Sequence, residues 1–344
     1  MNSSRFKSLA ANYAKLSIAV AGDFCLDRYF DLDPARTEIS IETGLPVYNI
    51  VNVRTQPGAA GTILNNLVAL GIGEIFVVGF AGEDGEGWSL IRALQAKPGV
   101  RMDYFLQTTE RRTFTYTKPL MFEPGKPPRE LNRLDMKNWS PTSPALSRRL
   151  GEACEELAGH VDAFILMDQV DLPNTGVLTT EVLDSIRAIA RAKPGLLIMA
   201  DSRRGLRDFP PVTFKMNAAE MARLTGKSPA VSLPEVQQQA VELAATNGQR
   251  VFITLAERGI LGASPEGQVE HVPALPVRGE IDIVGAGDAV TANLTASLAA
   301  GATPRESMEI ANAAASIVIH QLGTTGTATV EQIGNLLSTG HNRA

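Results

Sequence analysis

Apolar residues along the chain follow two alternating periods. Short runs at 16–21, 75–80, 163–167, 196–200, 212–214 and 251–255 are continuous and of strand length, as expected of strands buried on both faces. Between them, 62–70, 88–94, 145–157, 179–192, 234–246, 289–299 and 305–319 repeat apolar positions at helical spacing. Buried strands alternating with helices predict βαβ units, a mostly parallel sheet and helices on both of its faces. Two segments depart from that rhythm. Residues 31–53 and 104–133 alternate over shorter distances, most clearly in Arg112-Thr-Phe-Thr-Tyr-Thr-Lys118. They predict antiparallel excursions that pair in space as a small sheet over a ligand site. The Pro- and Gly-rich stretch 123–129 predicts an exposed loop within the second of them. No internal repeat or low-complexity linker interrupts the chain, so the expected organisation is one domain over 1–344 with a lid.

Composition then narrows the function classes. Hydrophobic residues make up 44% and charged residues 20% of the 344, enough to fill a large core. The net charge of −5 and the lack of a Lys/Arg-rich run argue against a nucleic-acid partner. A phosphate-bearing ligand would therefore be held by local amides and a few basic residues. Cys25 and Cys154 form no Cys-x-x-Cys pair, which fits a reducing, cytoplasmic setting and excludes a disulfide framework. The first apolar run ends at Gly22-Asp23, too short for a signal or a membrane span, so no membrane association is expected. His160, His271, His320 and His341 are scattered without metal-ligand spacing.

The chemistry concentrates in Ile281-Asp282-Ile283-Val284-Gly285-Ala286-Gly287-Asp288, which opens a helical run. Small residues before a helix let the backbone approach an anion, and the first helical amides lack intrahelical acceptors. With the positive end of the helix dipole added, the turn is a phosphate cradle. Asp288 there has two readings: a carboxylate that accepts the proton of an attacking hydroxyl, or a residue that merely caps the helix. Two common fingerprints fail. Val290 stands where a dinucleotide-binding turn has its third Gly, and Met221 stands where a Walker loop before Gly226-Lys227-Ser228 needs one.

Asp282-Ile-Val-Gly-Ala-Gly-Asp288 resembles the C-terminal signature of the ribokinase-like (PfkB-type) carbohydrate kinases, usually Asp-Thr-x-Gly-Ala-Gly-Asp. Further likenesses follow in the family's order over nearly the whole chain. Gly58-Ala-Ala-Gly61 is similar to its Gly-Gly substrate motif, Asn217-Ala-Ala-Glu220 to its Asn-x-x-Glu element, and Ala311-Asn312-Ala313-Ala314 to its late nucleotide-bordering helix. Gly22-Asp23, Asp27-Arg28-Tyr29, Arg133-Leu134-Asp135 and Gln321-Leu322-Gly323-Thr324 look like the heptose-7-phosphate kinase domain of ADP-heptose synthesis proteins.

The resemblance implies an α/β fold: a ribokinase-like three-layer α/β/α arrangement with a mostly parallel central sheet and a small β lid. It implies transfer of the γ-phosphate of ATP to a sugar or sugar-phosphate hydroxyl, with Asp288 as base and Gly285, Ala286 and Gly287 as anion hole. By the same resemblance Asp23, Asp27, Gly58, Ala59 and Asn66 bind substrate, and Asn217, Thr254, Gly259 and Asn312 border the nucleotide. Glu220 acts on Mg2+ through water, while Asp282 and the carbonyl of Val284 mark a site for a monovalent cation such as K+. Arg203 and Arg204 are placed to meet a substrate or nucleotide phosphate. A homodimer through the lid is implied as well, because a small projecting sheet has edges to cover.

Plain structural readings stand beside these. Asp23 and Asp27 also suit loop capping, Asn217 and Glu220 a helix's first turn, and Asn312 helix packing. Several positions depart from the family pattern. Ala59 and Ala256 replace glycines, Thr62 an Asn, Ile283 a Thr, and Gln169-Val-Asp171 a Tyr, a Gly and a basic residue. These cluster at substrate positions. They leave open a nucleoside or other small-metabolite kinase on the same fold, or a non-catalytic sugar- or nucleotide-binding regulator. A dehydrogenase is remote, since no glycine fingerprint follows the first strand.

Overall fold

The computed structural model describes residues 1–228 and 232–340; His341 lies outside the described residues. A 10-stranded sheet runs through the molecule in the order Val269–Val272, Ile260–Ala263, Val251–Thr254, Thr213–Asn217, Leu197–Ser202, Ala163–Asp168, Ser17–Gly22, Glu74–Gly82, Val100–Arg101, with Phe105–Thr108 also paired to Glu74–Gly82. All pairings are parallel except the two at the end formed by Ile260–Ala263 and Val269–Val272. That antiparallel end, like the helices Ser3–Tyr13 and Val330–Gly340, goes beyond what the apolar pattern predicts.

Strand periodicity explains the layers, since successive side chains point to opposite faces. On Ser17–Gly22, Ala19 and Ala21 pack in the cluster with Phe164 and Leu166, under helices Pro144–Leu157 and Thr180–Ala192. Ile18 and Val20 face the other way with Ala163 and Ile165, under Ala60–Ala69, Ala286–Ala299 and Pro304–Val318. The expected mostly parallel α/β arrangement is what the structure has. No helix among the described residues is long and apolar enough to cross a membrane.

A second, five-stranded sheet joins Arg129–Glu130, Thr115–Met121, Phe24–Leu32 and Ile50–Ala59 in that order, with Leu134–Met136 also paired to Thr115–Met121. It corrects the sequence reading in two respects. The strand Phe24–Leu32 starts directly after Asp23, earlier than the patterning at 31–53 implies. It also pairs parallel to Thr115–Met121, while its pairing with Ile50–Ala59 is antiparallel. Leaving the main sheet at Gly22 is sterically tight: a Cβ there would lie 2.1 Å from the Met167 carbonyl oxygen.

The glycine replacements are visible in the backbone. Ala59, which precedes helix Ala60–Ala69, has φ 52° and ψ −114°, and Ala256 has φ 52°. Non-glycine residues in such conformations carry about 1–3 kcal/mol of strain. A glycine at Ala59 would relieve it, against about 0.4–1 kcal/mol lost to a looser unfolded chain. Ala59→Gly should therefore raise stability by about 1 kcal/mol, read as a higher urea midpoint at unchanged m-value. A lower midpoint would contradict the strained assignment.

Candidate active site

The carboxyl ends of the parallel strands form one edge. There the chain order switches on either side of Ser17–Gly22, which lies between Glu74–Gly82 and Ala163–Asp168. Open α/β sheets bind ligands at such a switch point. Above this edge starts the helix Ala286–Ala299. Gly285 precedes it at φ 82°, a left-handed conformation suited to glycine, and no side chain caps the helix. A Cβ at Gly285 would come 2.5 Å from Thr325 Cγ2, so the turn is tight as well as left-handed. Ala286 N donates back to the Ile283 carbonyl at 3.2 Å, so the first-turn amides left for an anion are those of Gly287 and Asp288.

Asp288 sits in that first turn, half-buried, its pKa pushed up to about 7. Burial is the main cause, followed by the negative charge of Asp201; Lys215 pulls the other way and Asp27 adds a further push. Asp201 Oδ2 accepts from Lys215 Nζ at 2.7 Å and from Thr291 Oγ1 at 2.8 Å. Burial works against the charge on Lys215, but the Asp201 carboxylate outweighs it and holds the ammonium above its ordinary pKa. Within electrostatic reach lies Asp27, buried on Phe24–Leu32, its pKa raised by burial against the pull of Lys118 and Arg133. Gly58 makes room for it, since a Cβ there would meet the Asp27 carboxylate at 2.8 Å. Thus Asp27, Gly58, Gly285, Gly287 and Asp288 come together.

Asp23 does not join them. Fully buried, it accepts from the Gln169 amide through Oδ2 and the Val177 amide through Oδ1, both at 2.8 Å. The acceptors expected to meet sugar hydroxyls instead brace the 169–177 loop, and burial raises the carboxyl's pKa. Asn66 is also fully buried, its Nδ2 donating to the Thr62 carbonyl at 3.0 Å, which removes it from any ligand surface. Ala59 contributes a backbone bend to the cleft and no polar group.

Asn217 and Thr254 are register partners on neighbouring strands. Asn217 and Glu220 form a reciprocal cap: Glu220 N donates to Asn217 Oδ1 at 2.9 Å and Asn217 N to Glu220 Oε2 at 2.7 Å. One carboxylate oxygen of Glu220 is thus committed to the helix start, and burial raises the group's pKa. Gly259 and Asn312 converge on the 272–274 segment. A Cβ at Gly259 would lie 2.1 Å from the Val272 oxygen, while Asn312 Nδ2 donates to the Val272 and Pro273 carbonyls at 3.0 and 3.2 Å. Asn312 is therefore a packing brace. Asp282 ties its own loop, accepting from Val284 N at 3.0 Å and Gly323 N at 3.4 Å. No group of three or more His, Cys, Asp or Glu able to hold a metal occurs among the described residues.

The basic residues are distributed differently from the sequence reading. Arg204 is drawn inward onto Asp168, Nε to Oδ2 at 2.8 Å, and only Arg203 stays half-exposed, 3.9 Å from Asp171. The cations near Asp27 come from the small sheet instead. Alternation puts Tyr29, Arg54, Tyr116 and Lys118 on its side, with Arg54 and Lys118 over the Tyr29 ring and Arg133 over the Tyr116 ring. The motifs omit Lys215 too, yet a signal existed: a lone charge in the otherwise buried strand Thr213–Asn217 must have a partner.

An α/β fold with an uncapped helix start, a carboxyl beside it and a facing small sheet defines a ribokinase-like protein. A family model, the pfkB family carbohydrate kinase, matches residues 142–331, and the chain belongs to that family. It is 29% identical over 330 residues to the bifunctional protein HldE of Gluconacetobacter diazotrophicus, covering 94% of this chain and 64% of that protein. With the HldE of Azorhizobium caulinodans it shares 32% over 313 residues, covering 89% and 61%. The chain thus spans less than two thirds of the length of these relatives. Among solved structures, Arabidopsis thaliana ribokinase complexed with ribose and ATP aligns at TM-score 0.69 and 19% identity, covering 94% of this chain and 98% of that one. Escherichia coli phosphofructokinase-2 in complex with fructose-6-phosphate aligns at 0.68 and 17%, with coverage of 94% and 98%.

Asp23 offers a direct check on the bracing role. Asp23→Ala leaves buried amides of the 169–177 loop without their acceptor, a loss of about 3 kcal/mol or more. Urea unfolding should show it, and an unchanged midpoint would contradict the bracing role.

Proposed function

We propose that the chain is an ATP-dependent sugar kinase, moving the γ-phosphoryl group of ATP to a hydroxyl of a sugar or sugar phosphate. The observation that carries this reading is the helix start at Gly285, without a side-chain cap, with Asp288 in its first turn and Asp27 close enough to act on its charge. The residues fit the nucleotide's phosphates: the turn leaves amides for an anion, and Gly287 keeps the space before Lys215 clear. Glu220 suits Mg2+ through water, having one carboxylate oxygen outside the cap. Bound Mg-ATP supplies the transferable group and the charge that steadies it. Asp282 and the Val284 carbonyl are the proposed site of a K+ ion.

The protein's own part is then defined. The free amides at the Gly285–Gly287 turn, with Ala286 N committed to the Ile283 carbonyl, hold the charge that develops, and Asp288 takes the hydroxyl proton. Asp27 orients acceptor hydroxyls. Lys118 and Arg133 near Asp27 favour an acceptor that already carries a phosphate. An ATP-coupled screen over sugars, sugar phosphates and nucleosides tests the reading, with Asp288→Asn as the control. Turnover should fall by about 10²–10⁴-fold in that variant at little change in ATP binding. For the unmodified protein, kcat/KM should drop about tenfold per pH unit below about 7, where Asp288 becomes protonated and cannot accept a proton. Full turnover by Asp288→Asn, or by nucleosides alone, overturns the assignment.

The small sheet also supports a homodimer. Ile39, Ile41, Leu45, Ile50, Val51 and Val53 are all exposed on and beside it, apolar surface of the kind that a second copy of this chain covers. Sedimentation velocity should give a dimer at micromolar concentration, converted to monomer by Ile41→Asp with Leu45→Asp. A monomer in the unmodified protein would refute it.

A further inference from the structure

Lys215 belongs to none of the motifs, and yet it occupies the centre of the charged groups below the helix start. It is 6% exposed, on the strand Thr213–Asn217 beside the strand that carries Asp201. Its ammonium has three N–H donors, and among the described residues its hydrogen-bond acceptor is Asp201 Oδ2, at 2.7 Å. A Cβ placed on Gly287 would lie 3.2 Å from Nζ, so the ammonium abuts the turn itself. Thr291, whose hydroxyl lies 2.8 Å from the same Asp201 oxygen and 3.1 Å from the Gly287 carbonyl, ties the turn to the pair. Asp201, Asp288 and Glu220 act on the charge of Lys215, while Asp201, Lys215 and Asp27 act on that of Asp288. Without Lys215 the helix start would be surrounded by carboxylates, and a polyphosphate would meet net repulsion where the amides are meant to receive it.

We infer that Lys215 is a positioning residue for phosphoryl transfer, its buried ammonium fixed by Asp201 and Thr291 so that the Gly285–Gly287 turn accepts an anion and Asp288 remains available as the base. This rests on the kinase reading for its second half only. The ammonium offsets Asp201 and Asp288, so its loss weakens anion binding and makes Asp288 harder to ionise. Loss of the Asp201 charge does the opposite to Asp288. The two substitutions therefore move one observable in contrary directions, which a merely structural role would not do.

The experiment uses Lys215→Met, Lys215→Arg and Asp201→Asn, each checked for folding by urea unfolding. Binding of ATPγS with Mg2+ and no acceptor, measured by calorimetry, should weaken at least about tenfold in Lys215→Met and recover in part in Lys215→Arg. The acid limb of kcat/KM should move to higher pH in Lys215→Met and to lower pH in Asp201→Asn. Unchanged ATPγS binding in Lys215→Met overturns the inference, as does a limb that shifts the same way in both variants. If Lys215→Met does not fold, Asp201→Asn and Lys215→Arg decide by the same two readouts. Should no acceptor be turned over by the unmodified protein, the kinase reading fails and the ATPγS comparison still decides the anion-binding role.

Discussion

Asp201 holds Lys215 and Thr291 at hydrogen-bond distance on the carboxyl edge of the main sheet, and the rest of the site depends on that pair. Carboxylates crowd this edge: Asp23 and Asp168 follow one stretch of it, Asp201, Asp288 and Asp27 another. Burying like charges together is tolerable only if cations and amides share the space or if protons are retained. Both remedies are present. Lys215 serves one cluster and Arg204 the other, with backbone amides of the 169–177 loop completing the shell of Asp23. Burial raises the pKa values of Asp168 and Asp288 to about 7, which favours proton retention on both and relieves what remains.

The sheet topology decides where this crowding falls. Because the chain passes from Ser17–Gly22 to one neighbour and returns on the other side, the strand ends around Asp23 open a crevice. The same break releases Phe24–Leu32 into the small sheet, which brings Asp27 to face the helix start of Ala286–Ala299. A single tight exit at Gly22 therefore couples the brace formed by Asp23 to the placement of Asp27. Fold and site are set by the same few residues there.

Much of this was legible in the sequence. Continuous apolar runs gave the parallel strands because burial on both faces leaves no alternation to misread, and Gly285–Asp288 stood out because small residues before a helix leave room for an anion at its first amides. What escaped has a common physical origin. Ile260–Ala263 is short and Gly-interrupted, so its period is weak, and Phe24–Leu32 follows a strand with a single residue between them. The roles of Asp23, Asn66 and Asn312 turned on burial, which residue type does not disclose. A buried Asp bound to backbone amides and an Asp awaiting a sugar look alike in one dimension. Lys215 was hidden for the converse reason: its partner Asp201 is distant in sequence and adjacent only through strand pairing.

Retaining a proton on Asp288 has a consequence for the whole fold. Its carboxyl sits at about 7 in the folded chain against 3.8 for the ordinary value, so the native state binds more protons than the unfolded one between those limits. Stability then declines as pH rises through that window, and the full penalty is felt above about 7. The proposed base is thus ionised only where its ionisation is least comfortable for the protein. That opposition is what an active carboxylate requires: a group made stable as an anion by its surroundings would have little tendency to take up a proton. Lys215 sets how far the opposition goes, lowering the pKa that burial and Asp201 raise, so that Asp288 titrates near neutrality and not far above it.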